Sequence, residues 1–243
     1  MTATTPMTAT TPTTTTSAAL DARLGLLRPG LRATLARVWA VPDPAAVYPE
    51  YLYLTHQIIR ATVPVMEAAA ARSRELADRT GDPVAAALVP YWARHIPEER
   101  GHDTWVCEDL AALGHDPGEP WRRIPPAPVA ALAGAQYFWI ERLHPVCLLG
   151  YIAVLEGDPP HPRAAERLSA RTGHPRAAFR TLARHAEEDP GHRDALRRLL
   201  DSLPLDARLR RAVSVSALNT VQLLVAAFGA LADRFTPPSD RSA

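Results

Sequence analysis

Apolar residues recur at helical spacing through most of the chain, in Ala-, Leu- and Arg-rich stretches that proline repeatedly interrupts. Of 243 residues, 24 are Pro and only 12 are Gly. That is about twice the usual share of proline, so the excess punctuates helices and does not build a Gly-rich linker or a collagen. Alternating strand patterns bounded by hairpin turns are missing from the sequence. The periodicity predicts helices near residues 20–40, 46–77, 83–113, 126–143, 145–156, 162–172, 176–202 and 205–235. Asp82 before Pro83 gives the clearest start signal, a capping carboxylate followed by proline at the first helical position. The expected fold is all-α, a single bundle whose longest helices can enclose a polar centre.

Residues 1–18 read as a disordered Thr/Pro-rich tail in which MTATTP occurs twice, 19–236 as the helical domain and 237–243 as a disordered C-terminus. The tail has no basic or apolar segment of the signal-peptide kind. No uninterrupted apolar run reaches the roughly 18 residues of a membrane span. The uncharged stretch 212–232 is left to the core or to a homodimer. With 27 Lys+Arg against 26 Asp+Glu, no charge excess favours nucleic acid or an anionic membrane. Every basic residue counted there is arginine, which excludes a lysine Schiff base or a P-loop lysine. Cys107 and Cys147 sit singly in apolar stretches, so neither a disulfide framework nor a Cys-rich zinc site is expected, and a cytoplasmic location follows from that usage.

Two segments concentrate histidine beside acid. His95-Ile-Pro-Glu98-Glu99-Arg-Gly-His102 and His185-Ala-Glu-Glu188-Asp189-Pro-Gly-His192 both read His-x3-(Glu/Asp)-x2-His. On a helix the first, fifth and eighth positions share one face. Imidazole and carboxylate without thiolate suit iron or manganese and are acceptable to zinc. The acid-x2-His spacing alone is weak, because Glu141 with His144 and Asp158 with His161 also match it; the extra upstream histidine sets the two segments apart. A two-metal site also needs a bridging carboxylate, and Glu156 qualifies because it ends the apolar run Val146–Leu155, where a lone acid is costly unless paired or bound. Simpler readings exist: Glu98 and Glu99 as first-turn acids, Asp189 as an N-cap, Glu156 paired with an arginine. Arg60 is a weak candidate to clamp a substrate carboxylate, Tyr91 and Tyr151 are weak candidates to line a pocket, and His56 reads as a hydrogen-bonded core histidine.

The segments HIPEERGHDTWVCEDLAALG at 95–114, HPVCLLGYIAVLEG at 144–157 and 185–192 together resemble the heme-oxygenase-like di-iron oxidases, the iron-containing redox enzymes, over roughly residues 45–205. The resemblance implies a helical bundle holding two Fe(II) ions, with Glu99, His102, Glu156, His185, Asp189 and His192 as ligands. His95 and Glu98 stand as supporting or alternative ligands. It also implies an irregular last metal-bearing helix. Pro97, Pro145 and Pro190 fall inside or beside the three segments, where they are expected to shape ligand-bearing helix breaks as well as ordinary starts. A ferritin-like pattern would instead enlist Glu141 and His144, but Pro145 pushes His144 out of helical geometry. The implied activity is O2-dependent oxidation of a small amine or amino acid in natural-product biosynthesis, N-oxygenation being favoured over C–C cleavage or desaturation of an amino or fatty acid. An external electron donor is an optional partner. The rival classes are a thiaminase-like hydrolase using Cys107 or Cys147 and a non-catalytic helical binding protein.

Overall fold

The computed structural model describes residues 14–237, which are helical with no strand among them. Ten α-helices follow one another: α1 Thr16–Trp39, α2 Pro44–Thr80, α3 Pro83–Glu99, α4 His102–Ala112, α5 Glu119–Arg122, α6 Ala127–Arg142, α7 Leu148–Leu155, α8 Ala164–Thr172, α9 Arg180–Ser202 and α10 Ala207–Phe235. Single 3-10 turns, Pro145–Cys147 and Arg176–Phe179, lead into α7 and α9. The start of α1 corrects the expected tail boundary. Thr15 caps it and Ser17 bonds Asp201 through both its amide and its hydroxyl, so residues 16–18 belong to the bundle; positions 1–13 and 238–243 lie outside the described residues.

The expected helix 83–113 is two helices. Arg100 is extended and Gly101 takes a left-handed conformation at φ 90°, a region that glycine enters without the Cβ penalty. The proline expectations are corrected at the same time. Pro97 lies inside α3 and Pro190 inside a continuous α9, and only Pro145 stands at a break, where His144 is extended and its side chain accepts from the Val146 amide. A proline removes one ladder hydrogen bond, and in α9 the packing of Leu196 and Leu200 on the core and Asp189 on the cavity side keeps the helix continuous.

The main core runs between α1, α2, α3, α7 and α10 and includes Val65, Met66, Leu88, Trp92, Leu149, Ile152, Val213, Val221 and Leu224. The 8-residue helix α7 crosses α10 so closely that a Cβ on Gly150 would stand 2.2 Å from the Val213 carbonyl oxygen. Among the described residues α10 is the one helix long and apolar enough to cross a membrane, and half of its apolar window is buried against this core. A second cluster of Tyr48, Leu52, Val106, Leu110 and Phe179 joins α2 to α4 and to the turn before α9. There the Tyr48 hydroxyl donates to the Ala178 carbonyl at 2.6 Å. Asp109, fully buried, accepts from the Arg180 and Thr181 amides at 2.9 and 3.0 Å, so α4 caps the N-terminus of α9 and fixes the two helices in register.

His56 is buried, as expected, but neither ring nitrogen has a hydrogen-bond partner. Trp121 meets the ring edge-on at 4.7 Å. Burial lowers its pKa from 6.5 to about 4, against an opposing pull from Asp103.

Two predictions follow from this packing. Gly150→Ala pushes α7 from α10 and costs about 1–3 kcal/mol or more, read as a lower urea midpoint with an unchanged slope. Because the folded-state pKa of His56 is depressed, its contribution is intact above about pH 6.5 and is lost as pH falls toward 4. Relative to His56→Leu, the wild-type chain therefore loses on the order of 2 kcal/mol between pH 7 and pH 5; parallel pH dependences of the two chains would refute this.

Candidate metal centre

Four helices deliver the site. His95 and Glu99, one turn apart on α3, share its inner face; the Gly101 jog then starts α4 with His102 already turned inward. Glu156 ends α7, and α9 supplies His185, Asp189 and His192 from successive turns of one face. All seven side chains are buried or nearly so.

On one side, His95 Nε2 lies 3.0 Å from Glu156 Oε1, and His192 Nδ1 lies 3.9 Å from Glu156 Oε2. One donor atom from each of His95, Glu156 and His192 can be chosen so that all fall within 4.8 Å of one another. On the other side, His102 Nδ1 lies 3.2 Å from Glu99 Oε2, and the His102 and His185 rings meet edge to face at 5.1 Å. His185 donates its Nδ1 hydrogen to the Thr181 carbonyl at 2.8 Å, which leaves the Nε2 lone pair free for an ion, the usual device for fixing a ligand tautomer. Glu99 touches both halves, reaching His102 with Oε2 and His192 Nδ1 at 3.3 Å with Oε1. Glu99 thus lies between the two halves, while Glu156 contacts histidines of the first half.

The paired alternatives at 98 and 99 separate by burial. The Glu98 side chain is 41 % exposed and sits outside His95 Nδ1 at 3.3 Å and His192 Nε2 at 3.8 Å, whereas Glu99 is 10 % exposed and central. Glu188, singled out by nothing in the sequence beyond its acidic run, stands similarly outside His102 Nε2 at 3.4 Å. His95 joins the cluster directly. Tyr91 is buried next to the carboxylates with its hydroxyl unpartnered, and the Tyr151 hydroxyl meets Thr62 at 2.9 Å. Arg60 points instead to the Trp121 carbonyl. Glu141 is exposed, His144 faces Asp82, and Asp158 pairs with Arg32, so the other acid-x2-His matches lie outside the cluster.

The donors fit a cation better than they fit each other. His102 Nδ1, His192 Nδ1 and Glu156 Oε2 are buried without a hydrogen-bond partner, although oppositely charged groups lie near them. Burial, then the charges of Glu156 and Glu99, push the Asp189 carboxyl up to about 8. Burial likewise raises Glu156, and it works against His95, yet the hydrogen bond and charge of Glu156 hold that imidazole up at about 9. Three carboxylates in one apolar centre repel each other unless positive charge is brought in.

A cavity of about 280 Å³ opens above this floor. Glu99, Glu156, His185 and Asp189 line its base, and Leu24, Leu31, Leu35, Tyr51, Ile58, Val221, Leu224 and Phe228 line its walls. Arg60, Tyr91 and Tyr151 are not among its lining residues. Neither cysteine lines it either, and burial raises both thiols, Cys147 to about 12, so a cysteine hydrolase would lack its nucleophile here.

The sequence profile of the iron-containing redox enzymes matches residues 53–225, and the chain belongs to that family. Its fold is similar to a domain of unknown function with a heme oxygenase-like fold from Shewanella denitrificans OS217, at TM-score 0.69 and 16% identity, covering 94% of this chain and 95% of that one. No curated protein matches the sequence.

Ion binding to the folded state alone raises the melting temperature. At about a hundredfold excess over Kd one ion contributes about 2.7 kcal/mol, or about 5–10 °C for a chain of this size. Fe(II) under argon, or Mn(II) in air, is expected to give that shift. Glu156→Gln is expected to abolish most of it.

Proposed function

We propose that the protein is a non-heme di-iron, O2-dependent oxidase acting on a small organic substrate with an apolar body. The observation that carries this reading is the convergence of three buried carboxylates and four imidazoles beneath an apolar cavity, whose base Glu99, Glu156, His185 and Asp189 form. His95, Glu156 and His192 are grouped to hold one ion; Glu99, His102, His185 and Asp189 would supply the ligands of a second, with Glu99 near histidines of both sets. Two irons there supply the redox chemistry that activates dioxygen, which zinc lacks.

The chain's own residues do the rest. Glu98 and Glu188, outside His95 and His102, orient the imidazoles and hold their outer nitrogens. The leucine, isoleucine and phenylalanine walls exclude water and hold the substrate against the floor. Those walls favour oxidation at carbon, as desaturation or C–C cleavage, over N-oxygenation of a small polar amine, which the floor chemistry alone would also accommodate. A reductant from outside the chain is the partner this chemistry calls for when the substrate does not supply all the electrons.

Anaerobic full-length protein loaded with Fe(II) is expected to bind about two equivalents, and to consume oxygen on exposure faster with substrate than without. Glu156→Ala and His192→Ala are expected to lower substrate-dependent oxygen uptake on the order of 100-fold or more. Binding of one equivalent or none, followed by metal analysis and an oxygen electrode, would sink the di-iron reading.

A further inference from the structure

The mouth of the cavity carries an arginine where the helix pattern calls for a hydrophobe. The core-facing stripe of α1 runs through the buried Leu20, Leu24 and Val38 and the partly buried Leu31 and Leu35, and Arg28 falls on that stripe, one turn after Leu24 and one before Leu31. It lines the cavity beside both leucines, and its side chain is 22% exposed. A side chain at Gly157 would come within 3.2 Å of Arg28 Nη2, so the guanidinium lies against the residue that follows Glu156.

That guanidinium is under-used. Its partner Asp21 accepts a single contact at 3.3 Å from Nη2. Asp21 is already engaged by Arg197, through Nε at 3.1 Å and Nη2 at 2.8 Å. The other cation at the mouth, Arg32, is saturated by Asp158, with Nε at 2.9 Å and Nη2 at 2.7 Å. The acids at this end are thus taken up by Arg197 and Arg32, which leaves no free anion to receive a substrate ammonium, while Arg28 retains donors in the fork geometry that suits a carboxylate.

We propose that Arg28 is the specificity residue of the cavity: it anchors the carboxylate of an apolar-bodied organic acid, whose hydrocarbon portion then lies along the walls toward the histidine and carboxylate floor. The assignment rests on the oxidase reading for the chemistry at the floor, and it goes beyond it by fixing the charge of the substrate and the end that faces the mouth. α1 lies outside the span 53–225 that the family profile matches, so the anchor belongs to a helix that the profile does not describe. A partly desolvated charged hydrogen bond of this kind is worth about tenfold or more in affinity.

Decanoate, 1-decanol and decylamine serve as probes of equal chain length. Isothermal titration is run on the full-length protein, anaerobic and Fe(II)-loaded, with bound iron measured on the same sample. The expected result is decanoate bound at least about tenfold more tightly than the other two. Arg28→Gln abolishes that preference, Arg28→Lys retains most of it, and iron content is unchanged in both. Charge-blind binding, preference for the amine, or an Arg28→Gln variant that still selects the acid would overturn the assignment. Because iron stoichiometry is read separately, loss of the second iron with the acid preference intact would count against the di-iron reading and leave Arg28 standing. Charge-blind binding by the wild-type chain with two irons bound would do the reverse.

Discussion

Three carboxylates, those of Glu99, Glu156 and Asp189, converge with four imidazoles in the interior of a helical bundle, and most of the architecture can be understood as what is required to hold them there. Burial disfavours each charge, and proximity of like charges compounds it, as the elevation of Asp189 to about 8 shows. Such an arrangement survives only if the surrounding helices are held firmly enough to prevent the acids from swinging out to water. It becomes favourable when cations enter.

Two local devices supply that constraint. The Gly101 jog lets α3 end on Glu99 and α4 begin on His102, so that residues from two helices meet within 3.2 Å. Asp109, two turns further along α4, accepts the first amides of α9 and sets the height of His185, Asp189 and His192 against His102. The stacked Tyr48 and Phe179 rings, 4.4 Å apart, hold the same corner from α2. The site thus depends on a capping interaction that carries no ligand at all.

The helical class and most helix positions were legible because apolar spacing reports directly on which face a helix buries. The ligand types were legible because two segments repeat one histidine and acid pattern. The break between α3 and α4 was not, since Gly101 in His-x3-Glu-x2-His can be read as a tolerated helical glycine, and only its positive φ identifies it as a hinge. Pro190 misled in the opposite direction: it reads as a break, yet tertiary contacts carry α9 through it. Arg60 looked well placed in an apolar run, but the opposite face of α2 borders the cavity, with Thr55, Ile58, Ile59 and Thr62 on that side. Asp109 and Glu188 left no distinguishing mark, because a cap between distant segments or an outer partner to a histidine is a relation that spacing does not encode.

By itself the sequence determined an all-helical chain, a donor set of histidine and carboxylate, and the absence of lysine and paired-cysteine chemistry, because these follow from residue type and from periodicities of a few residues. Only the tertiary structure decided that Glu99 is the central acid and Glu98 the outer one, that His95 enters the cluster, and that Glu99 reaches both halves. It also decided that an arginine from α1 faces the mouth of the cavity. The physical reason is common to all four: which of two adjacent side chains is desolvated, and which distant charge it meets, is set by how helices far apart in the chain pack, and that packing is a property of the whole core.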